Sequence, residues 1–335
     1  MVYPPQGFPT AAAAKPAEAT IFVAASDARP EVKALADFVA SGTNDDITIE
    51  NAINALPTTG GRVRLSEGTF ILGSSIDILK SNVCLEGSGP GTKIFLANGS
   101  NCDVIRVGNG STALSNVKIC NLLIDGNKAG QTSGYIAGIH LYGSSSYIIS
   151  NCVVENCYIS NTRTYGIMGE YCNYCIIKNN FISNSGLYGV CITYSNYNSV
   201  EGNICLNNNS YGIGVILDSK YNRVYGNYAE GSGFGLYDSN NTLSNLFVGN
   251  VVVNSSKRGI FVNNQDVVVG NIVIGSGIYD IYLESGSVIG NVCLSSASTG
   301  IYISSGAAVG NYLSGQVKKI AVGGTDVYLG FNIEV

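Results

Sequence analysis

From about residue 175 onward, short apolar strands alternate with polar turns at a nearly fixed spacing. The rows read IIKNNFISNSGLYGVCIT, SVEGNICLNNNSYGIGVILDS, RVYGNYAEGSGFGLYDS, LFVGNVVVNSSKRGIFVNN, VVVGNIVIGSGIYDIYLES, VIGNVCLSSASTGIYISS and AVGNYLSG. Each carries an apolar strand, an Asn usually preceded by Gly, a second short strand, a polar turn and a segment of the form Gly-Ile-x-Val. The asparagines Asn180, Asn203, Asn227, Asn250, Asn271, Asn291 and Asn311 mark a period that shrinks from 23 or 24 residues to 20. Self-similarity at such a period is the signature of a solenoid in which each repeat forms one coil. Three short strands per coil fit the spacing, and stacked asparagines can hydrogen-bond along the tube.

Period-two alternation then assigns the interior. Two positions after each anchor stand Leu123, Ile159, Ile182, Cys205, Ala229, Val252, Val273, Cys293 and Leu313, with two earlier coils entering through Asn121 and Cys157. The Gly-Ile-x-Val strand adds Ile139, Ile167, Val190, Ile260, Ile281 and Ile301. Cys157 interrupts the run of asparagines, so a local irregularity is expected there. Upstream, Ile49, Ala52, Ile53 and Leu56 follow acidic residues at helical spacing and stop at Pro57, which predicts a helix over 46–56 capping the open end of the tube. A weaker amphipathic piece spans Pro30 to Val39. The expected organisation is an N-terminal extension over 1–28, a helical cap with the opening strands over 29–80, and the β-helix over 81–335. The final residues, YLGFNIEV, show no cap, which points to truncation or to a partner covering that end.

Composition narrows the partners. The 335 residues include 42 Gly, 7 Pro and 12% charged residues, a β-rich profile that fits neither disorder nor a helical bundle. A net charge of −5 with no basic stripe argues against nucleic acid. No run approaches the roughly 20 apolar residues of a membrane span, and the opening segment lacks the charged and apolar regions of a secretion signal. Ten cysteines are more than a chain able to build its own core requires as staples; several fall on inward positions, and the lone C-x-x-C of Cys172 and Cys175 has no second pair to make a metal site. The sequon at Asn240 carries little information in so Asn-rich a chain.

The segment TNDDITIENAINALPTTGGRVRLSEGTFIL, followed by VCLEGSGPGTKI, resembles the opening of the pectate-lyase-like superfamily, and the repeats resemble the same superfamily from Asp46 to the end. The resemblance implies an all-β, right-handed parallel β-helix. It also implies a groove on the outer face of the Gly-Ile-x-Val strand, in a superfamily that spans pectate and alginate lyases, polygalacturonases, mannuronan epimerases, tailspike depolymerases and proteins without chemistry. Outward positions there are Arg106, His140, Tyr142, Met168, Glu170, Cys191, Thr193 and, with one residue of slippage, Asp218. With coils about 4.8 Å apart, Arg106, His140, Glu170, Thr193 and Asp218 would line a groove roughly 20 Å long.

Two chemistries suit that groove. Arg106, His140 and Tyr142 would serve β-elimination on an acidic sugar, as cation, base and acid; Glu170 and Asp218 would serve an inverting hydrolase. Tyr237, Phe261, Tyr282 and Tyr302 share one outward column, a ladder suited to stacking on sugar rings or on one another. Residues departing from the family's signatures include the absent Asp-Pro-His-Asp motif of epimerases, the absent aspartate pair of polygalacturonases and the absent aspartate cluster of calcium-dependent lyases, so no cofactor is expected and calcium has no motif to hold it. The expectation is an extracellular or virion-associated protein, monomeric or homotrimeric, that engages an acidic polysaccharide. The competing reading is a non-catalytic structural or adhesive solenoid.

Overall fold

The structure, a computed structural model, describes residues 19–239, 241–263 and 265–335. Most of the expected N-terminal extension and the sequon residue Asn240 lie outside the described residues. The chain winds into a right-handed parallel β-helix of three faces. One face holds 12 strands, from Gly68–Leu72 through Tyr312–Ser314 to Ile333–Glu334. The other two faces join as one sheet because the strands Tyr279–Ile289 and Thr299–Val309 run round the corner between them. Every strand pair is parallel, and most strands are three to six residues long because a corner follows.

Like stacks on like inside the tube. Ile260, Ile281 and Ile301 are register partners with no exposed surface, and Ile159, Ile182, Cys205, Ala229, Val252, Val273, Cys293 and Leu313 form a second inward file. Burying an aliphatic side chain contributes about 2–3 kcal/mol, so a coil owes its stability to the neighbours that cover it rather than to its own contacts. Cys152, Cys157, Cys172 and Cys175 belong to this core, so the C-x-x-C pair is packing.

The asparagine ladder is continuous from Asn180 to Asn332. Each anchor is buried up to Asn311, and its amide donates to the Oδ1 of the next, for example Asn227 to Asn250 at 3.0 Å and Asn250 to Asn271 at 2.9 Å. The same Oδ1 accepts the backbone N–H of the anchor before it, at 2.9 Å for Asn227. The residue preceding each anchor is left-handed: Gly202, Gly226 and Gly249 at φ of 60 to 62°, and Asn179, Asn156 and Asn121 at 53 to 57° in the earlier coils. Asn121 is therefore the turn residue and Leu122 takes the anchor position. Consequently Leu123 points outward, and Ile124 is the inward residue, paired with Ile159. Nor does Cys157 disturb the coil: its N–H donates to Asn180 Oδ1 at 3.0 Å, and Tyr158–Ser160 pairs regularly with Phe181–Ser183.

The cap helix spans Asp45–Ala55 and lays Ile49, Ala52 and Ile53 over the end of the tube. Three of its carboxylates take backbone N–H groups of the first coil: Asp45 from Ile71, Asp46 from Gly73 and Glu50 from Asp77. Lys80 answers at the other end of the helix, donating to the carbonyls of Ile53, Asn54 and Leu56. The other predicted helix is shorter than expected. Only Pro30–Ala34 is helical, while Phe38–Val39 is a strand beside Thr20–Ala24, which in turn pairs with Gly61–Leu65. Residues 20–24, expected in the extension, are thus part of the sheet.

Candidate functional site

The strand Ala137–Tyr142 lies between Ile105–Val107 and Tyr165–Glu170, with His140 opposite Arg106 on one side and Met168 on the other. Alternation turns His140 and Tyr142 outward, Tyr142 directly opposite Glu170. The two rings of His140 and Tyr142 sit 4.9 Å apart. A cleft of about 400 Å³ opens here, lined by Asp103, Arg106, Tyr135, His140, Tyr142 and Glu170, with Tyr165 and Met168 at its edge.

His140 is held from two sides. Asp103 accepts from Nδ1 at 2.9 Å with one carboxylate oxygen and from the Ala137 backbone N–H at 2.8 Å with the other, which fixes the imidazole in place. Nε2 lies 3.5 Å from Glu170 Oε2, an ion-pair distance without hydrogen-bond geometry, so Nε2 is covered yet has no hydrogen-bond partner. Burial by itself pushes the His140 pKa down, but the two carboxylates outweigh it and hold the pKa above the ordinary histidine value. Arg106 is committed elsewhere: its guanidinium grips Asp77 through Nε at 3.1 Å and Nη2 at 2.6 Å, a two-point fork anchored in turn by Glu50.

The structure brings Arg106, His140, Tyr142 and Glu170 together as expected. It does not bring Asp218, which sits two residues past the strand Tyr211–Ile216, exposed in a turn at φ 50°; Ile216 occupies the column position opposite Thr193. The proposed carboxylate pair with Glu170 therefore does not form. Thr193 follows Glu170 in register but is 3% exposed, its hydroxyl closed off beneath the wall, so it is not open to a ligand. Cys191 is wholly buried, and the Tyr188 ring covers the neighbouring Gly214.

Tyr237, Phe261, Tyr282 and Tyr302 do form a ladder, with ring centroids 5.3, 5.0 and 4.6 Å apart and planes 7 to 22° from parallel. Arg258 lies over Phe261 and Tyr282 at 4.5 and 4.2 Å. The ring faces are thus engaged with one another and with a guanidinium, leaving edges outward. Asp103, Asp77, Tyr135 and Tyr165 were not singled out from the sequence for this cleft. Asp77 was within reach, since the IDI of residues 76–78 aligns with the IRV of 105–107.

Fold and cleft together define the chain as a parallel β-helix protein with a titratable site on its outer wall. It belongs to the family described as periplasmic copper-binding protein (NosD), whose profile matches residues 67–258. No curated protein sequence matches it. Among solved structures, the A-module of the mannuronan C-5 epimerase AlgE4 from Azotobacter vinelandii superposes with a TM-score of 0.77 at 19% identity, covering 88% of this chain and 93% of that one. The periplasmic alginate epimerase AlgG gives 0.57 at 12% identity, over 86% and 82%. ORF18 of Geobacillus virus E2 gives 0.63 at 16% identity, over 88% and 59%. At these identities the likeness establishes the fold alone. No helix among the described residues is long and apolar enough to cross a membrane.

A copper-binding family raises the question of where copper would fit. Among the described residues, one group of ligand atoms lies mutually within 4.8 Å: the thiols of Cys84 and Cys120 and a carboxylate oxygen of Glu86. They come from the strands Val83–Glu86 and Lys118–Cys120, with Glu86 opposite Cys120. Soft sulfur donors suit Cu(I), so the donor set fits.

Proposed function

We propose that the chain acts on an acidic polysaccharide by moving the proton on the sugar carbon beside the carboxylate, at the cleft of His140 and Tyr142. What carries this reading is the pinned imidazole. Asp103 orients Nδ1, leaving Nε2 as the titrating atom beside Glu170 and next to the Tyr142 ring. In its neutral form Nε2 takes the C5 proton; the Tyr142 phenol then returns a proton. Delivered to the opposite face of C5, that proton completes an epimerisation. Delivered to the leaving glycosidic oxygen as the C4–O bond breaks, it completes a β-elimination and leaves an unsaturated sugar. Glu170 stands over Nε2 and must swing aside for substrate to reach it. The epimerases among the structural neighbours support the substrate class, and the family's periplasmic description supports a location outside the cytoplasm.

The test is incubation with a panel of polyuronates, following the ultraviolet absorbance of unsaturated ends, reducing sugar and the epimer ratio by NMR. Loss of turnover in His140→Ala and Tyr142→Phe is expected. Reducing ends without unsaturation, undiminished in His140→Ala, would exclude the scheme.

A second reading rests on Cys84, Glu86 and Cys120, which would hold Cu(I) as cargo through two thiolates. Competition for Cu(I) against a chelating indicator, lost in Cys84→Ser, is its test.

A further inference from the structure

The cleft at His140 has a charge problem for an acidic ligand. Its formal charges are Arg106 and His140 against Asp77, Asp103 and Glu170, and Arg106 is already clamped by Asp77. An anion arriving there finds no free cation. The cation has to come from the wall beside it.

A larger cleft of about 770 Å³ supplies one, lined by Phe95, Asn127, Lys128, Asn161, Arg163 and Asn184, with Asp125 at its base. Asp125 is neutralised by Lys93 at 3.2 Å, so the two cations of the lining, Lys128 and Arg163, are left in excess in a chain whose net charge is −5. On the surrounding coils Arg29, Arg62, Lys93, Arg106, Lys118 and Lys178 are all in ion pairs with carboxylates. Lys128 and Arg163 are not: Lys128 is exposed, and Arg163 binds two backbone carbonyls, of Gln131 and Gly134, each at 3.2 Å. Asn161 and Asn184 follow the strands Tyr158–Ser160 and Phe181–Ser183 of the twelve-stranded face in left-handed turns, which places amide-bearing side chains along the rim. Cations, amides and one aromatic edge are the groups that recognise a carboxylated or sulfated sugar.

The two clefts are neighbours. The segment that Arg163 ties down at Gln131 and Gly134 continues directly into Tyr135, which lines the His140 cleft, and Tyr165 lines that cleft two residues after Arg163. We propose that the cleft of Lys128 and Arg163 is an anionic-sugar subsite, which holds the charge of one sugar residue of a glycan while its neighbour reaches His140. Only the identity of the substrate class rests on the function proposed above; the binding claim stands on the charge balance.

Affinity for oligouronates is measured by calorimetry at two salt concentrations on the full chain, with a neutral glucan as control. Lys128→Glu is expected to weaken oligouronate binding about tenfold, and Asn184→Lys, at an exposed rim position, to strengthen it several-fold, both effects shrinking as salt rises. Lys257→Glu, the same charge change at an exposed position on a later coil, should keep the wild-type affinity within about twofold. Wild-type affinity in Lys128→Glu, no gain in Asn184→Lys, a loss in Lys257→Glu as large as that in Lys128→Glu, or no oligouronate binding by the wild type would each overturn the subsite. Tight, Lys128-dependent binding without turnover would sink the proposed activity and leave the subsite standing.

Discussion

Glu170 stands one coil on from His140 and diagonal to it, so that its Oε2 comes within 3.5 Å of Nε2 while its strand partner is Tyr142. A carboxylate in that place both raises the imidazole pKa and covers the atom that titrates.

His140 is the only histidine, so its ring proton resonances titrate alone in the NMR spectrum. The midpoint is expected above 6.5, and Glu170→Gln or Asp103→Asn should each lower it, since each removes an opposite charge in contact. If neutral Nε2 is the base, turnover rises with pH through that midpoint, and the rising limb moves toward acid in Glu170→Gln. An unmoved limb would detach His140 from the chemistry.

Asp280 stands where Gly259 and Gly300 stand in the adjoining coils, its side chain turned into the tube. Burial pushes its carboxyl up to about 6, although the Gln316 amide donates to it at 3.0 Å. A raised carboxyl favours the protonated fold, so stability is fullest below the ordinary aspartate value and falls as pH rises toward about 6. The gap from 3.8 amounts to about 3 kcal/mol at most. Burial raises the neighbouring pair Asp238 and Asp266 in the same direction, with Thr242 and Asn245 donating to Asp238. Asp280→Asn should therefore raise Tm at pH 8 and change it little at pH 4. A uniform change across pH would refute a titrating Asp280.

Asn250→Ala removes one rung of the amide ladder. It leaves the Asn227 backbone N–H without its acceptor and takes the Asn250 donor from the Val224 carbonyl, while the Asn227 amide loses its rung but keeps the carbonyls of Val200 and Tyr225. About 2–4 kcal/mol of destabilisation in denaturant unfolding is expected from groups buried and unpaired. The same change at Asn332, where the ladder is only part-buried, should be much milder.

The aromatic ladder yields a prediction that separates packing from recognition. Because the faces of Phe261 and Tyr282 are taken by their neighbours and by Arg258, Arg258→Ala should lower stability by about 1 kcal/mol and leave oligouronate affinity unchanged. A parallel loss of glycan binding would instead make the ladder a sugar platform.

Much of this architecture is legible in the residues, because the Gly-Asn turns and the period-two alternation repeat wherever the coils are short. Reading fails where a turn changes length. A slip of one position exchanges wall for lumen, so the spacing puts Leu123 inside and gives Asp218 a column that belongs to Ile216. Asp103 fails for another reason: it acts from a turn, 37 residues before His140, and no spacing rule connects them. His140, Glu170 and Arg106 were found because register along the strands places them. Lys128 and Arg163 were missed because their meaning lies in which neighbouring charges are already satisfied.

The inward files keep step while the coils shorten. Ile105 to Ile139 takes 34 residues, Ile139 to Ile167 takes 28, and Ile281 to Ile301 only 20. Part of the surplus in the early coils forms an extra short wall, where Leu114–Ser115, Ile149–Ser150 and Cys172–Asn173 pair, the rest is spent in turns outside the tube, and both clefts stand where that surplus is greatest. Specificity can therefore change by lengthening or trimming those outer excursions without repacking one interior side chain, and the late coils are the plain stock on which new excursions can be raised.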